Sequence, residues 1–187
     1  MTDTLRLGIA GLGTVGVGVI KIIQQHTELL EARSGCKIVI SAISARSKNK
    51  DRGIDLSSYA WEDNSVDLAA RDDVDVFLEL IGGDSGPAKA AVEAAITAGK
   101  HVVTANKAML AIHGQDLALA AEAADVNLRF EAAVAGGIPI IKSLTESLAA
   151  NEITRVMGVM NGTCNYILTR MESAKLPYET VFEEANQ

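Results

Sequence analysis

The sequence predicts an α/β fold, a doubly wound parallel sheet followed by the beginning of a second α/β domain, and three observations predict it. Short apolar runs alternate with stretches whose apolar residues recur at helical spacing, the pattern of βαβ units with right-handed crossovers. The first strand-like run passes directly into Gly11-Leu12-Gly13-Thr14-Val15-Gly16, which fits G-x-G-x-x-G and opens onto a helical stretch. Aromatic residues make up only 4% of the chain, and Ala is by far the commonest residue, which suits helices packed closely on a sheet better than an aromatic-rich sandwich.

Leu5–Ala10 reads as a short buried strand, closed by Gly11. Thr14 to Gln25 then places Val15, Val19, Ile22 and Ile23 on one helical face. Lys37–Ile43 is a second strand-like run rich in β-branched residues, and the polar stretch from Ser44 to Asn64 reads as loop and surface. Val74–Ile81 is a third predicted strand, ended by Gly82-Gly83, and Pro87 to Ala98 an Ala-rich helix stopped by Gly99. His101–Thr104 reads as a fourth strand, Gln115 to Ala124 as a helix, and Asn127–Val134 as a fifth strand running into Gly136-Gly137-Ile138-Pro139. After Pro139 the texture changes. Ile140–Ala149 reads as a helix, Ile153–Met160 as a longer strand, the stretch through Ile167 and Met171 as a helix, and Pro177–Gln187 as the first turns of another. A boundary is expected near residue 135, with 1–134 a dinucleotide-binding domain and 135–187 the start of a substrate-binding and dimerisation domain.

Bulk properties narrow the function classes. The 187 residues are 48% hydrophobic and 22% charged, enough to bury a core. The formal net charge is −7 and no Lys/Arg cluster stands out, so no nucleic-acid partner is expected. Cys36 and Cys164 lie too far apart to suggest a disulfide framework or a metal-ligand pair, and read as reduced thiols of a cytoplasmic protein. Met1 to Arg6 lacks a signal-peptide pattern, and no uncharged 18-residue apolar stretch exists, so no membrane partner is expected either.

The glycine loop carries the first specific chemistry. Gly11 makes the tight turn out of the strand, Gly13 removes a side chain where a pyrophosphate must approach the backbone, and Gly16 lets helix and strand pack closely. The helix beginning at Thr14 and Val15 points unpaired N–H groups and its positive dipole end at the phosphates. In this Rossmann context an acidic residue usually ends the second strand and binds the adenosine ribose of NAD. Here that strand runs into Ser44-Ala45-Arg46-Ser47-Lys48, with no carboxylate. Arg46 and Ser47 would instead meet a 2′-phosphate, so NADP is the expected cofactor and NAD the alternative; Arg46 as an ordinary surface cation is the competing reading.

Taken together, four ordered segments resemble homoserine dehydrogenase. They are the loop Gly11–Gly16, Gly99-Lys100-His101-Val102-Val103-Thr104-Ala105-Asn106-Lys107, Glu131-Ala132-Ala133-Val134-Ala135-Gly136-Gly137-Ile138-Pro139, and Asn161-Gly162-Thr163-Cys164-Asn165-Tyr166-Ile167-Leu168. The resemblance covers nearly the whole chain. It implies NAD(P)-dependent interconversion of L-homoserine and L-aspartate 4-semialdehyde, a step of threonine and methionine biosynthesis, in a cytoplasmic homodimer whose pairing surface falls after residue 135. It also implies that Lys107 is the active-site lysine near nicotinamide and substrate, with Thr104 and Asn106 lining the same crevice. A cation at the carboxyl end of a strand suits an oxyanion or a polarised carbonyl.

By the same resemblance Glu131, with the backbone carbonyls of Val134, Gly136 and Ile138, holds a monovalent cation, commonly sodium; hard oxygen donors suit a hard cation. The competing reading makes Glu131 a cap on the helix after Pro139. Gly162 and Thr163 are expected to bring backbone N–H groups and a hydroxyl to the cofactor–substrate junction, with Thr163 as an ordinary N-cap the alternative. His26 and His113 read as surface residues, His101 as structural, and Cys164 lacks a neighbouring His to activate it.

The family's substrate-gripping glutamate and its Asp and Lys pair for proton transfer lie beyond the segment matched by Glu183-Glu184-Ala185. The chain is therefore expected to be an N-terminal portion that binds cofactor without turning over homoserine at a useful rate. Two further readings are a different NAD(P)-dependent reductase of amino-acid aldehydes or keto acids, and a non-catalytic dinucleotide sensor.

Overall fold

Strand alternation decides how the sheet is covered. In the first strand, β1 (Thr4–Ala10), Leu7 and Ile9 join one buried cluster while Ala10 joins another, and in β4 (Val76–Glu79) Val76 and Leu78 part from Phe77 in the same way. Both faces are covered, so the strands read as continuous apolar runs rather than alternating ones. The structure is a computed structural model that describes residues 3–159 and 161–186.

The described residues form a six-stranded sheet, every pair of neighbours parallel, in the order β3-β2-β1-β4-β5-β6. Here β2 is Lys37–Ser44, β3 Ala60–Glu62, β5 His101–Thr104 and β6 Leu128–Arg129. This is the doubly wound Rossmann order, with its reversal between β1 and β4. On one face, α1 (Thr14–Gln25) packs Ile20 against Leu7, Ile9, Ile40 and Ile43. On the other, α3 (Ser65–Ala69), α4 (Pro87–Thr97) and α5 (Lys107–Ala123) pack around Phe77. Ala88, Ala91 and Ala95 of α4 are completely buried, so the absence of longer side chains there lets the helix lie close to the sheet.

Several elements differ from the sequence reading, each for a local reason. In α1 the buried stripe runs through Gly16, Val19, Ile20 and Ile23, while Val15 and Ile22 are more than half exposed, about one residue's rotation off that stripe. A helix α2 (Thr27–Ser34) buries no residue and so gave no periodic signal; Gly35, at φ 75°, ends it in the left-handed conformation. The stretch expected to be loop contains the short edge strand β3, and it is followed by α3, where Asn64 accepts a hydrogen bond from the Val66 N–H at 2.9 Å. Helix α5 begins at Lys107, not Gln115, because Asn106 caps it by accepting from the Met109 N–H at 3.1 Å.

The predicted strand Asn127–Val134 shrinks to β6, and Glu131–Val134 is the short helix α6. The predicted helix Ile140–Ala149 is α7 (Ile140–Lys142) continued by a π-helical turn, Ser143–Ser147. The chain divides into two compact units, Met1–Ser147 and Leu148–Gln187. In the second, α8 (Gly162–Ala174) and α9 (Tyr178–Ala185) are joined by the Arg170–Glu184 ion pair at 3.0 Å. The predicted strand Ile153–Met160 does not form over residues 153–159, and Met160 lies outside the described residues. A strand needs a neighbour to satisfy its N–H and C=O groups, and the described residues of this unit hold none.

At the amino edge of the sheet, charges are paired with each other. Arg6 donates to both carboxylate oxygens of Asp75 at 2.9 and 2.6 Å, and Arg71 pairs with Asp73 and reaches across to Glu62 at the carboxyl end of β3. These guanidinium contacts hold the carboxyls of Asp75 and Asp73 below the usual carboxylate range, hydrogen bonding from the arginine being the largest cause for each.

Candidate functional site

The opposite, carboxyl edge is built from three loops. Gly11 follows β1 with φ +99°, a left-handed conformation, and a side chain there would overlap the backbone of Leu80 and Ile81. Gly16 faces the Gly11 carbonyl so closely that any Cβ would collide with it. These two contacts press the start of α1 onto the end of β1, while Gly13 opens onto free space. Gly13 is also the N-cap of α1 and supplies no side-chain cap, so the first-turn N–H groups, at Thr14 and Val15 among others, face outward with the positive end of the helix dipole. Such an end is a ready site for an anion.

The strands β1, β4 and β5 end level: Ala10 pairs with Glu79, and Glu79 with Thr104. Beyond them lie Gly11, the Gly82-Gly83 turn and Lys107. Glu79 and Thr104 are buried, and so is Asn106. The Glu79 carboxylate accepts from the N–H groups of Ile81 and Gly82 at 2.8 and 3.1 Å and from the Thr104 hydroxyl at 2.6 Å. The Thr104 oxygen accepts from the Asn106 N–H at 3.0 Å, and the Asn106 amide donates to the Gly83 carbonyl at 2.6 Å. Thr104 and Asn106 thus form the framework beneath the site rather than an open crevice wall.

Lys107 is exposed as the first residue of α5. A cation at that end opposes the helix dipole, so helix stability does not account for it. It lines a cavity of about 440 Å3 with Leu110, Gly114, Phe130 and Val134. Glu79 escaped the sequence reading; a carboxylate inside an apolar run, directly before Gly-Gly, was the available signal.

At the end of β2, Ser44 is buried and its carbonyl accepts from the Gly11 N–H at 2.9 Å, tying the two strand ends together. Arg46 and Ser47 follow as exposed residues. Arg52, within the stretch expected to be loop and surface, links this loop to the glycine loop. It donates to the carbonyls of Leu12 at 3.2 Å, Ser47 at 2.6 Å and Lys50 at 2.8 Å. Its guanidinium and the Lys48 ammonium lie 5.8 and 5.9 Å from the Trp61 ring centre.

Glu131 starts α6 and caps α7: its two oxygens accept from the N–H groups of Ile141 and Lys142 at 2.8 and 2.9 Å. The Ile138 carbonyl accepts from the Ile140 N–H at 2.8 Å, while Val134 and Ile138 are more than half exposed and Gly136 lies in the turn between them. Gly162 and Thr163 open α8 in the second unit. The N-cap there is Asn161, accepting from the Cys164 N–H at 2.8 Å, so Thr163 does not cap the helix. The His101 ring accepts from the Asn127 N–H at 3.1 Å, a structural role as its strand position implied.

Residues 11–131 match the family described as homoserine dehydrogenase, NAD binding domain, and residues 139–187 the family described as homoserine dehydrogenase. A homoserine dehydrogenase of Bacillus subtilis is 43% identical over 97% of this chain and 42% of its own length. One from Neisseria gonorrhoeae is 46% identical over 97% of this chain and 41% of its own. Among solved structures, a homoserine dehydrogenase from Thiobacillus denitrificans superposes with a TM-score of 0.85 at 39% identity, over 98% of this chain and 42% of that one. The chain therefore spans about two-fifths of the length of these relatives.

Proposed function

We propose, because the chain belongs to the homoserine dehydrogenase family, that it provides the cofactor-binding side of an enzyme interconverting L-homoserine and L-aspartate 4-semialdehyde with NADP. The observation that carries this reading is the level carboxyl edge of β1, β4 and β5. It sets the uncapped start of α1 and the Lys107 ammonium on one side of the sheet, at its switch point.

The residues present fit a dinucleotide. The outward N–H groups of α1 and the open space over Gly13 suit a pyrophosphate, and the carboxylate-free end of β2, with Arg46 and Ser47, suits a 2′-phosphate. When bound, the cofactor supplies hydride exchange at the nicotinamide. The chain's part is to align and to balance charge: Lys107 steadies the negative oxygen that develops as the homoserine hydroxyl loses its proton. In the same reading Gly162 and Thr163, of the second unit, are N–H and hydroxyl donors to the bound ligands.

Glu131 keeps lone pairs on both oxygens beyond the two N–H groups they cap. With the carbonyls of Val134, Gly136 and Ile138 it would hold a sodium-like ion. Residues 1–134 form the cofactor domain in this reading, and 135–187 begin the substrate and dimerisation domain of a cytoplasmic homodimer.

Fluorescence titration of the chain with NADPH and NADH tests the binding half. Tighter NADPH binding that Arg46→Ala reduces by roughly tenfold is expected, the worth of about one charge-assisted contact. Equal affinity for both cofactors removes Arg46 from the site, and binding of neither overturns the reading. For the chemical half, these 187 residues can replace the matching segment of the Bacillus subtilis enzyme. Lys107→Met in that chimera should lower kcat by about 100-fold or more while leaving the NADPH Kd within about twofold.

A further inference from the structure

The Glu79 carboxylate serves no role in the mechanism above, yet it is completely buried. A buried carboxylate persists only where donors converge on it. Here three do, and they come from two separate loops: the Ile81 and Gly82 N–H groups from the turn after β4, and the Thr104 hydroxyl from the end of β5. The two loops meet a second time where the Asn106 amide reaches the Gly83 carbonyl, so the contacts form a closed ring. Asn106 is the N-cap of α5, and Lys107 is the next residue.

We propose that Glu79 is a positioning residue for the reaction: by locking the Gly82-Gly83 turn to the Thr104–Asn106 turn, it fixes the start of α5 and so the direction from which Lys107 meets the nicotinamide end of the cofactor. This rests on the role given to Lys107 above. Both oxygens accept: Oε1 from the Ile81 and Gly82 N–H groups, and Oε2 from the Thr104 hydroxyl. A glutamine keeps the shape but offers one acceptor oxygen. Either its amide N–H2 faces the two backbone N–H groups, or it faces Thr104 and leaves the hydroxyl proton without this acceptor.

The test uses the 187-residue chain with Glu79→Gln, Thr104→Val and Thr104→Ser, and NADPH as the probe. Two quantities are read beside thermal stability and NADPH affinity: amide hydrogen exchange at Ile81, Gly82 and Asn106, and the protection that NADPH gives Lys107 against trace acetylation, followed by mass spectrometry. Glu79→Gln and Thr104→Val should each speed exchange at these amides roughly tenfold, about the factor carried by one lost hydrogen bond, and reduce Lys107 protection by a similar factor. NADPH affinity should stay within about threefold, because the pyrophosphate is held at the glycine loop. Thr104→Ser, which keeps the hydroxyl, should match the native chain.

Unchanged exchange and protection in Glu79→Gln and Thr104→Val overturns the proposal, and so does a Thr104→Ser that behaves like Thr104→Val. Should Glu79→Gln fail to fold, the Thr104 pair decides by the same two readouts. If NADPH leaves Lys107 unprotected in the native chain while amide exchange responds as described, the role of Lys107 falls and the lock between the two turns stands.

Discussion

The two edges of one sheet handle polar groups in opposite ways. At the amino edge, guanidinium meets carboxylate: Arg6 with Asp75, and Arg71 with Asp73. At the carboxyl edge, a buried carboxylate, a hydroxyl and an amide bond among themselves and to backbone, while the α1 N–H groups and the Lys107 ammonium are left facing outward. The first edge spends its charges on itself; the second keeps its charge and its donors available. In a parallel sheet every loop that follows a strand opens on the carboxyl side, so that edge can gather residues from β1, β4 and β5, which sequence keeps far apart.

The comparison can be broken or sharpened in three steps. Phe77 lies between the edges in the shared core, completely buried, and Phe77→Ala should cost about 3–5 kcal/mol. Thermal unfolding and NADPH binding should then deteriorate together, since both edges hang on that core. Gly16→Ala should separate them. The added methyl collides with the Gly11 carbonyl and pushes α1 off β1, weakening NADPH binding by about 2–3 kcal/mol, roughly 100-fold, with a smaller loss in Tm. Binding that survives Gly16→Ala would place the cofactor elsewhere.

The third and smallest effect is Asp75→Asn at the amino edge. The Arg6–Asp75 pair is partly exposed, with side-chain exposures of 40% and 30%, so about 1 kcal/mol or less is expected, and NADPH affinity should not change. Its pH dependence has a definite sign. The carboxyl of Asp75 sits below its unfolded value, so its contribution is complete above the ordinary carboxylate range and disappears as pH falls through the lowered folded value. Denaturant titrations of native chain and variant should therefore differ at pH 6 and converge in acid. A gap that widens in acid would contradict the ion-pair assignment.

What the sequence disclosed followed from how local each signal was. The glycine loop, α1 and the Ala-rich α4 were legible because turn glycines, a 3.6-residue stripe and a C-terminal glycine all lie within a few residues of what they specify. Helix α2 buries nothing and left no stripe. The segment 153–159 has the composition of a strand, but composition does not supply a hydrogen-bonding neighbour. Lys107 was found through the resemblance of its surrounding segment. Glu79 was missed because its meaning depends on Thr104, which is distant in sequence and adjacent only once β4 and β5 pair.

The uncapped first turn of α1 has a thermodynamic consequence. An anion seated there completes the helix as a detachable cap, and a ligand that binds only the folded chain adds RT ln(1 + [L]/Kd) to its stability, about 2.7 kcal/mol at a hundred times Kd. Resistance to heat and proteolysis would then track the supply of dinucleotide, so the lifetime of this chain would report the concentration of the molecule it binds.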